Sequence, residues 1–579
     1  MNTPIPHSAV LERSAHLQAP SCNIPDSAGR NLFESDPYAR PMLHAYLSDE
    51  GLYQHLLPHF SELGRLAGGA LDELAGIADK NPPVLSVRNR RGEDEARIIK
   101  HPAYVELERA AYERFGLAAM SHRPGALGWN APMPPTAKYA LTYLFVQAEF
   151  GLCCPVSMTD SLARTLRKFG TPELVEQVLP RVAALDFDEL KQGAMFMTEQ
   201  AAGSDVSATQ TVAEKRSDGQ WLLYGDKWFC SNPDAGFAMV LARSEAAQGL
   251  AGISLFLLPR TLADGSPNHY RILRLKDKLG TRSMASGEIR LEGAVAWLVG
   301  ERGRGFQQMA DMINSSRLSN GMRAAGLMRR ALSEAMYFAH NRLAFGKRLV
   351  DMPLMRRQLL KMQVAAEQAR SVMFQTALEL DKADKGDARA RKLVRILTPL
   401  IKFRACRDAR KVTGDAMEVR GGCGYIEEWV EPRLVRDAHL GSIWEGTSNI
   451  VALDVLRAIR RNECLPVLRA HIEELLADGV ACRPELAGIQ QSGLEKAWAL
   501  AERAAAQDNS PLARQAASAL YNALSLAAMR WEAGRAGLSS RGDLADLVLV
   551  HKLAPRDPCV EASFTPDENG LLQAAYLSA

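Results

Sequence analysis

The sequence predicts an α+β protein: a helical domain, then a β domain, then a helical bundle, with an extra helical module at the end. Apolar residues recur at helical spacing in residues 41–193 and again beyond residue 300, whereas short β-branched and aromatic runs fill the stretch between them. A chain of 579 residues is also too long for one hydrophobic core. The predicted domain limits are 1–40 for an N-terminal arm, 41–193 for the helical domain, 194–300 for the β domain, 301–461 for a four-helix bundle and 462–579 for the extra module.

The composition excludes several classes of protein. Nine cysteines are scattered without a CxxC pair, so neither a disulfide framework nor a metal site is predicted. The first residues lack the pattern of a secretory signal, and we expect a cytoplasmic protein. The most apolar long run, residues 139–159, contains Gln147 and Glu149 and predicts a buried helix rather than a membrane span. A net charge of +3 does not by itself indicate a nucleic-acid partner.

The N-terminal third predicts an arm followed by helices. Residues 1–40 are rich in Pro, Ser and Asn with little periodicity, which predicts an arm that is loosely ordered or packs along the surface. Leu141, Leu144 and Phe145 then share one helical face, and a second helix ends at Phe169 before the Gly170 break.

The β domain shows its own signals. Residues 221–224 and 227–230 flank Gly225-Asp226, a pattern typical of a β-hairpin. Further strands are predicted at residues 238–241, 253–258, 270–275 and 288–291. Beyond them, helices are predicted at residues 306–341, 353–385, 387–418 and 448–461, which fits an antiparallel bundle, and at 494–506 and 511–536 in the extra module.

The stretch from Ser442 to Ile450 carries the strongest candidate for chemistry. A helix is predicted to begin near Thr447, with Thr447 or Ser448 as N-cap, and its first N–H groups can hold a phosphate. Glu445 precedes this turn, and its neighbours Ile443 and Trp444 are expected to desolvate the carboxyl and raise its pKa toward that of a useful base. Taken alone, the pattern also fits a surface glutamate before an ordinary capped helix.

Four further segments could contact a flat, phosphate-bearing ligand, although each also has a structural interpretation. Residues 195–206 leave an apolar strand and enter a run of small residues, and residues 227–232 place an aromatic pair before a hydroxyl. Arg342 with Phe345 could bind phosphate and cover an adenine, or simply complement a helix C-terminus. Residues 421–425 hold three glycines that could expose amides or only stop a helix.

The order of these segments resembles the acyl-CoA dehydrogenase superfamily. The matching motifs are the MTExxxGSD segment from Met197, the KxxxSN strand from Lys227, RxxFG from Arg342, GGxGY from Gly421 with RxxRD downstream, and EGTSNI from Glu445. Within it, the chain is most similar to the subfamily of the adaptive-response protein AidB. The resemblance implies an N-terminal helical domain, a central β-barrel-like domain, a C-terminal four-helix bundle, bound FAD, an acyl-CoA or related small-molecule substrate and a homotetramer.

The resemblance also assigns roles to residues. Glu445 is the implied catalytic base, and Ser204 and Arg317 are implied substrate contacts. Implied FAD contacts are Met195, Met197, Thr198, Gly203, Ser204, Phe229, Cys230, Ser231, Arg342, Phe345, Gly421, Gly422, Ile443, Trp444, Gly446, Thr447 and Asn449. Some relatives place the base just before an arginine on an earlier helix, but Arg317 follows two serines here. Phe229, Ser231 and Glu418 depart from the usual Trp, Thr and Gln of the family.

Members of the AidB subfamily are associated with double-stranded DNA, and this sequence supports such binding unevenly. Residues 462–579 hold ten Lys and Arg against fifteen Asp and Glu, whereas residues 385–411 hold ten basic residues against two acidic ones. A basic channel is predicted from Arg389, Lys392, Arg395, Arg457, Arg460 and Arg461, and the alternative is a solvated face paired with acidic groups.

We therefore predict an FAD-dependent oxidoreductase that removes the α-proton of an acyl-CoA while a hydride passes to flavin N5. The alternative is a DNA-binding flavoprotein of the alkylation-damage response with weak or residual dehydrogenase activity.

Overall fold

The first described residues pack against the helical core. The structure is a computed structural model that describes residues 24–506, 510–555, 559 and 566–577. Leu32, Phe33 and Tyr38 are buried, and Leu32 N donates to the carbonyl of Gly64. Of the two predicted alternatives, residues 24–38 follow the arm that packs against the rest of the chain. Residues 1–23 lie outside the described residues.

The N-terminal domain is mostly helical but contains a hairpin that the sequence pattern did not predict. Its elements are α1 Ala39–Tyr46, α2 Glu50–Ala67, α3 Ala70–Lys80, β1 Val84–Arg88, β2 Asp94–Ile99, α4 Pro102–Arg109, α5 Pro135–Phe145, α6 Cys153–Phe169 and α7 Pro172–Val182. The β1–β2 hairpin is largely exposed and has few buried apolar positions, so it gives no alternating pattern.

The apolar run of residues 139–159 forms parts of two buried helices rather than one. α5 ends at Phe145 and α6 begins at Cys153, with Glu149 between them accepting a hydrogen bond from Leu152 N at 3.1 Å. None of the helices in the described part of the chain combines the length and the apolar content that a membrane span needs.

The central domain is a mixed sheet that closes on itself. Its strands are β3 Gly193–Phe196, β4 Val212–Lys215, β5 Trp221–Ser231, β6 Phe237–Arg243, β7 Ile253–Pro259, β8 Tyr270–Leu275 and β9 Ser286–Val299. The strand order is β3-β6-β4-β5-β9-β7, and an additional antiparallel pairing of β6 with β7 completes a ring. This closure produces the barrel-like form that the resemblance implied.

The hairpin predicted around Gly225 is wrong, because residues 221–231 form the single strand β5. Gly225, at φ +134°, lies beside a register shift between β5 and β9, and a Cβ there would lie 2.9 Å from Thr211 Cα. Asp226 accepts two hydrogen bonds from Arg290 of β9, both at 2.8 Å. The Gly-Asp pair therefore lies inside a continuous strand, where the glycine permits close approach to Thr211, and does not mark a chain reversal.

A helical bundle follows the sheet. Its elements are α8 Gly305–Asn341, the short strands β10 Leu343–Ala344 and β11 Lys347–Arg348, and the helices α9 Pro353–Asp384, α10 Ala388–Arg420, α11 Glu431–Gly441 and α12 Ser448–Asn462. The four predicted bundle helices are present, and α11 is an additional helix. Helix α8 packs against α6, α9 and α10, so it connects the bundle to the N-terminal domain.

The last helices pack onto the bundle. They are α13 Cys464–Asp478, α14 Ala487–Ala506, α15 Ala513–Arg535, α16 Ser539–Val548 and α17 Glu568–Ala574. Arg541 of α16 is fully buried and donates at 2.6 Å both to Glu367 of α9 and to Glu532 of α15. The predicted α+β organisation is confirmed, and we propose the sequence-based domain limits as its boundaries.

Candidate active site

The turn that precedes α12 has an unusual backbone. Glu445 and Gly446 both have positive φ, +54° and +95°. A non-glycine residue in this region costs on the order of 1–3 kcal/mol and persists where its surroundings hold it. Arg317 Nε of α8 donates to the Glu445 carbonyl at 3.0 Å, and Lys402 Nζ of α10 donates to the Gly446 carbonyl at 2.8 Å. Cations from two helices therefore hold both carbonyls of the turn.

The Glu445 carboxyl group is shielded from water. The residue is half-buried, and its Oε2 is a buried oxygen without a hydrogen-bond partner among the described residues. Burial raises the pKa of Glu445 above its ordinary value, while Arg317, Lys402, a hydrogen bond from Ser316, and Arg323 oppose that rise. The result is a carboxylate that binds a proton more tightly than an exposed glutamate does.

Arg317 is also paired with an acid. Its Nη1 donates to Asp454 of α12 at 2.8 Å, and Arg395 of α10 donates to both oxygens of the same carboxylate, at 2.8 and 3.0 Å. The Arg317 side chain is 11% exposed. These bonds make Arg317 a support of the turn, and its implied contact with substrate stays a prediction.

Trp444, the residue before Glu445, has its ring packed against Phe150 and Arg323. Its ring is stacked on Phe150 with centroids 5.9 Å apart, and the Arg323 guanidinium lies 4.5 Å from the Trp444 ring centroid. Ile443 is 58% exposed, so the expectation that it desolvates Glu445 is wrong. Trp444 Nε1, Arg323 Nη1 and Asn320 Nδ2 are buried atoms without a partner among the described residues. Together with Glu445 Oε2, these polar atoms are suited to contact a bound molecule.

Helix α12 begins at Ser448, as predicted. Thr447 occupies the N-cap position, but its side chain makes no capping hydrogen bond. The first N–H groups of the helix have no partner within the helix, and the N-terminus attracts negative charge. Thr447 and Asn449 are exposed at this end, so the geometry is compatible with the predicted phosphate contact.

The loop after β3 lies beside β5. Trp228 N donates to the Thr198 carbonyl at 2.8 Å, and buried Lys227 forms an ion pair with Glu199 at 2.6 Å. The loop is thus anchored by its buried Glu199, while Gly203 and Ser204 further along are exposed. Of the two predicted methionines in this segment, Met195 is buried and Met197 is half-buried.

The predicted flavin-facing residues of β5 alternate in direction. Phe229 is 55% exposed and Ser231 is half-buried, whereas Cys230 is fully buried in the core. Side chains of successive strand residues point to opposite faces. The predicted contact between the Cys230 side chain and the flavin is therefore wrong. Only the backbone of Cys230 can contact a ligand on the face of the strand where Phe229 lies.

Four predicted cofactor contacts lie away from Glu445. Arg342 follows the end of α8, roughly 36 Å along the helix axis from Arg317. Phe345 is 97% exposed at the tip of the β10–β11 hairpin. Gly421 and Gly422 follow α10 and have open space where a Cβ would lie. One chain does not bring these residues to Glu445, so their implied contact with FAD in a neighbouring subunit stays a prediction.

Glu418 stands where the family usually has Gln and so adds a negative charge. It is exposed near the C-terminal end of α10. It accepts a hydrogen bond from Gln358 Nε2 at 3.3 Å. Solvent and this amide therefore accommodate its charge.

A cavity of about 840 Å³ opens between α6, α8, α9 and α10, and we call it the basic cavity. Its basic lining residues are His122, Arg164, Arg167, Lys168, Arg391 and Arg395. The acidic lining residues are Asp311, paired with Lys168, and Asp384, paired with Arg164. Cations are thus in excess along the lining. Arg395 connects the cavity to the Glu445 turn through Asp454 and Arg317.

The predicted DNA-binding residues are mostly engaged with acids. Arg389 pairs with Glu474 at 2.7 Å, Lys392 with Glu463 at 3.6 Å, and Arg395 and Arg457 with Asp454 at 2.8 and 3.8 Å. Arg460 and Arg461 lie in the last turn of α12. The interpretation as a face paired with acidic groups thus describes Arg389, Lys392, Arg395 and Arg457.

The sequence pattern missed Lys402, Asp454 and Arg323 as parts of this site. Lys402 had a signal, because it is one cation inside the apolar run of residues 396–403. Asp454 and Arg323 had none, because acidic and basic residues on helices are common and their partners are distant in sequence.

Three protein-family models match consecutive parts of the chain. They are described as the adaptive response protein AidB N-terminal domain for residues 23–189, the acyl-CoA dehydrogenase middle domain for 194–294 and the acyl-CoA dehydrogenase C-terminal domain for 303–460.

Individual relatives agree with these matches. The putative acyl-CoA dehydrogenase AidB of Escherichia coli (strain K12) is 35% identical over 400 residues, which cover 67% of this chain and 71% of that protein. Acyl-CoA dehydrogenase family member 11 of Caenorhabditis elegans is 30% identical over 460 residues, covering 77% and 74%. The crystal structure of C. elegans ACDH-11 in complex with C11-CoA superposes with a TM-score of 0.83 at 26% identity, covering 93% of this chain and 94% of that one.

Proposed function

This chain belongs to the acyl-CoA dehydrogenase family, and we propose that it oxidises an acyl-CoA thioester, with Glu445 as the base and FAD as the hydride acceptor. The observation that carries this proposal is the Glu445 carboxyl: its Oε2 is buried and unpaired, its pKa is raised, and its backbone is held by two cations. A base in this state is suited to take a proton from a weakly acidic carbon.

Members of the family bind FAD, and the residues present fit it. Trp444 Nε1 and Arg323 Nη1 are buried donors without partners among the described residues, Phe229 offers an exposed ring, and Gly421 and Gly422 leave room for close backbone approach. We propose that the loop of Met197, Thr198, Gly203 and Ser204 and the start of α12 hold the same cofactor.

The side chains have separable tasks in this proposal. Glu445 Oε2 accepts the proton from the carbon next to the thioester carbonyl, and its burial makes it a stronger base than an exposed carboxylate. Trp444 and Phe150 exclude water from that oxygen. Bound FAD would accept the hydride from the adjacent carbon, which leaves a double bond between the two carbons.

The base assignment is tested by Glu445→Gln. We expect the purified variant to stay yellow, while anaerobic bleaching of the flavin by acyl-CoA slows by about 10²-fold or more, because the amide cannot accept the proton. Glu428→Gln, an exposed carboxyl in the loop before α11, is the matched control and should bleach at the normal rate. Undiminished bleaching in Glu445→Gln would show that another group is the base.

We further propose that the basic cavity receives the phosphate groups of coenzyme A. Arg391 is exposed at its rim and donates to the Gly386 carbonyl at 3.0 Å, so its charge is not neutralised by that bond. Arg167 donates to the His122 ring at 3.1 Å. An unprotonated ring is neutral, so this bond does not neutralise the charge of Arg167 either. Arginine is well suited to phosphate oxygens.

Substrate truncation tests the cavity. We expect Arg391→Ala to raise KM for acyl-CoA by about tenfold, the equivalent of about 1.4 kcal/mol, because one phosphate contact is lost. KM for the acyl thioester of N-acetylcysteamine, which has no phosphate, should not change. Arg88→Ala on the exposed β1 strand is the control. Equal effects on both thioesters would place the phosphates elsewhere.

DNA binding is the second function to test. The relevant surface consists of the six predicted basic residues between Arg389 and Arg461. Arg389, Lys392, Arg395 and Arg457 among them form ion pairs, and DNA binding by this surface stays a prediction. If these residues contact phosphates, the affinity for double-stranded DNA in a gel shift must fall steeply with added salt. A weak salt dependence would exclude direct phosphate contacts.

A further inference from the structure

Lys402 is a buried cation in the middle of α10. It is 1% exposed, and its Nζ donates to the Gly446 carbonyl at 2.8 Å. Removing an ammonium group from water is costly, and burial lowers the pKa of Lys402 to about 8. Ala405 and Cys406, which lie one turn further along the same helical face, are fully buried, so packing alone would favour an apolar residue at this position. The ammonium group therefore suggests a task at the turn.

The turn needs a restraint at the carbonyl that Lys402 contacts. Glu445 has φ +54°, and its side chain direction depends on that conformation. Arg317 holds the carbonyl of Glu445 from α8, and Lys402 holds the next carbonyl from α10. Without the second contact, the peptide between Gly446 and Thr447 could rotate and carry the carboxyl out of place.

We propose that Lys402 is a positioning residue: it fixes the Glu445–Gly446 turn through the Gly446 carbonyl and supplies a positive charge to the Glu445 carboxylate. This inference rests on the proposed function, because it takes Glu445 to be the base.

The charge of Lys402 acts together with other groups around Glu445. Ser316, Arg317 and Arg323 face the carboxyl from α8, and Cys154 faces it from α6. Lys402 itself faces Cys406 on its own helix and both arginines of α8. Lys402 lowers the pKa of Glu445 against the effect of burial, so removing its charge must move that pKa upward.

Two variants separate the two tasks. Lys402→Met removes both donor and charge, whereas Lys402→Gln keeps a donor for the carbonyl and removes only the charge. We expect the acidic limb of the kcat/KM profile to move to higher pH by about one unit in both variants. We also expect kcat at high pH to fall about tenfold or more in Lys402→Met and to be largely retained in Lys402→Gln, with KM nearly unchanged.

Lys402→Arg keeps the charge and should restore the position of the limb. Lys411→Met, at an exposed lysine of the same helix, is the control and should leave the profile unchanged. Infrared difference spectra of the carboxyl stretch, with Glu445→Gln as the blank, report the same shift without turnover. This measurement can be made on each Lys402 variant that folds. In Lys402→Arg, the pKa of Glu445 should not shift.

The outcomes distinguish this inference from the proposed function. If Glu445→Gln bleaches normally, Glu445 is not the base and the proposed function is wrong. If Glu445→Gln is inactive but Lys402→Met and Lys402→Gln keep the wild-type limb and the wild-type kcat, the base is correct and the positioning role of Lys402 is wrong. A loss of activity in Lys402→Met without a shifted limb in Lys402→Gln would overturn the electrostatic part.

Discussion

Two buried carboxyl groups show how single residues respond to their surroundings. Glu445 faces Arg317, Arg323 and Lys402, and its pKa rises because burial outweighs these cations. Asp437 of α11 is buried, and it accepts a hydrogen bond from Thr281 N of the β domain at 2.6 Å. Burial, reinforced by Glu149, raises the pKa of Asp437 to about 7. The Glu445 carboxyl keeps a buried oxygen without a partner among the described residues, whereas the Asp437 carboxyl joins α11 to the β domain.

The Asp437 carboxyl predicts a pH-dependent stability. Its pKa is higher in the folded chain than its ordinary value of 3.8, so the folded state retains a proton that the unfolded state releases. The contribution is therefore most favourable below about pH 4 and is lost as pH rises toward about 7. We expect Asp437→Asn to remove this loss, on the order of 4 kcal/mol relative to wild type at pH 8.

Urea unfolding at pH 5 and at pH 8 measures this difference. The stability gain of Asp437→Asn should be larger at pH 8, whereas the exposed control Glu485→Gln should have the same small effect at both values. A gain that is equal at the two pH values would contradict the raised pKa.

At the scale of elements, helix α8 has a different partner along each part of its length. Its first third carries Arg317 toward the Glu445 turn, and Arg323 lies one to two turns further on, over the ring of Trp444. Beyond them, Gly326 allows close contact with the N-terminal domain: a Cβ there would lie 2.1 Å from Val146 Cγ1 and 2.9 Å from the Tyr143 carbonyl. The placement of the site thus depends on close helix packing nearby.

Two glycine substitutions with opposite expected signs test this packing. Gly326→Ala should lower the free energy of unfolding by about 1–3 kcal/mol, because the rigid Val146 side chain and the α5–α6 backbone must move. Gly414→Ala, also inside a helix but with open space at the Cβ position, should raise it by about 0.5–1 kcal/mol through helix propensity. Chemical unfolding followed by circular dichroism measures both. If both substitutions raised the free energy of unfolding, the packing around Gly326 would have to relax easily.

At the scale of the whole molecule, buried ion pairs hold the C-terminal helices to the rest of the chain. Arg541 contacts Glu367 and Glu532, and Tyr46 of α1 also donates to Glu532 at 2.7 Å. Removing one member of such a network leaves a buried charge unpaired, which is strongly destabilising. The last helices are therefore an integral part of the fold rather than a loosely attached addition.

Large apolar side chains are exposed at the end of the bundle where α8 ends and α9 begins. Leu343, Phe345, Leu354 and Tyr425 are 67%, 97%, 85% and 80% exposed, and they lie where α8 ends, α9 begins and α10 ends. Large exposed apolar groups in one region mark a contact surface. We expect another copy of the chain to cover it, as the predicted homotetramer requires.

The assembly prediction is tested at Phe345. We expect Phe345→Ser to lower the solution mass in sedimentation equilibrium and to weaken retention of FAD, because the hairpin tip is expected to reach the cofactor of a neighbouring subunit. Val87→Ser, at an exposed apolar residue of β1, is the control. A wild-type mass and full FAD content in Phe345→Ser would remove Phe345 from the interface.

The sequence by itself determined the order of helical and β segments and the start of α12 after Glu445, because periodicity and helix starts are local properties of the chain. Its motifs were also enough to identify the family. Local patterns misjudged residues 221–231, where the Gly-Asp pair lies within one strand whose partner Arg290 on β9 is 64 positions from Asp226.

Only the tertiary structure decided how the Glu445 turn is held. Arg317 is 128 positions from Glu445, and Lys402 is 44 positions from Gly446. Asp454 likewise connects Arg317 with Arg395, a residue whose charge had suggested DNA. Such contacts depend on how three helices pack, and no local pattern records which of many basic residues will meet a given carbonyl.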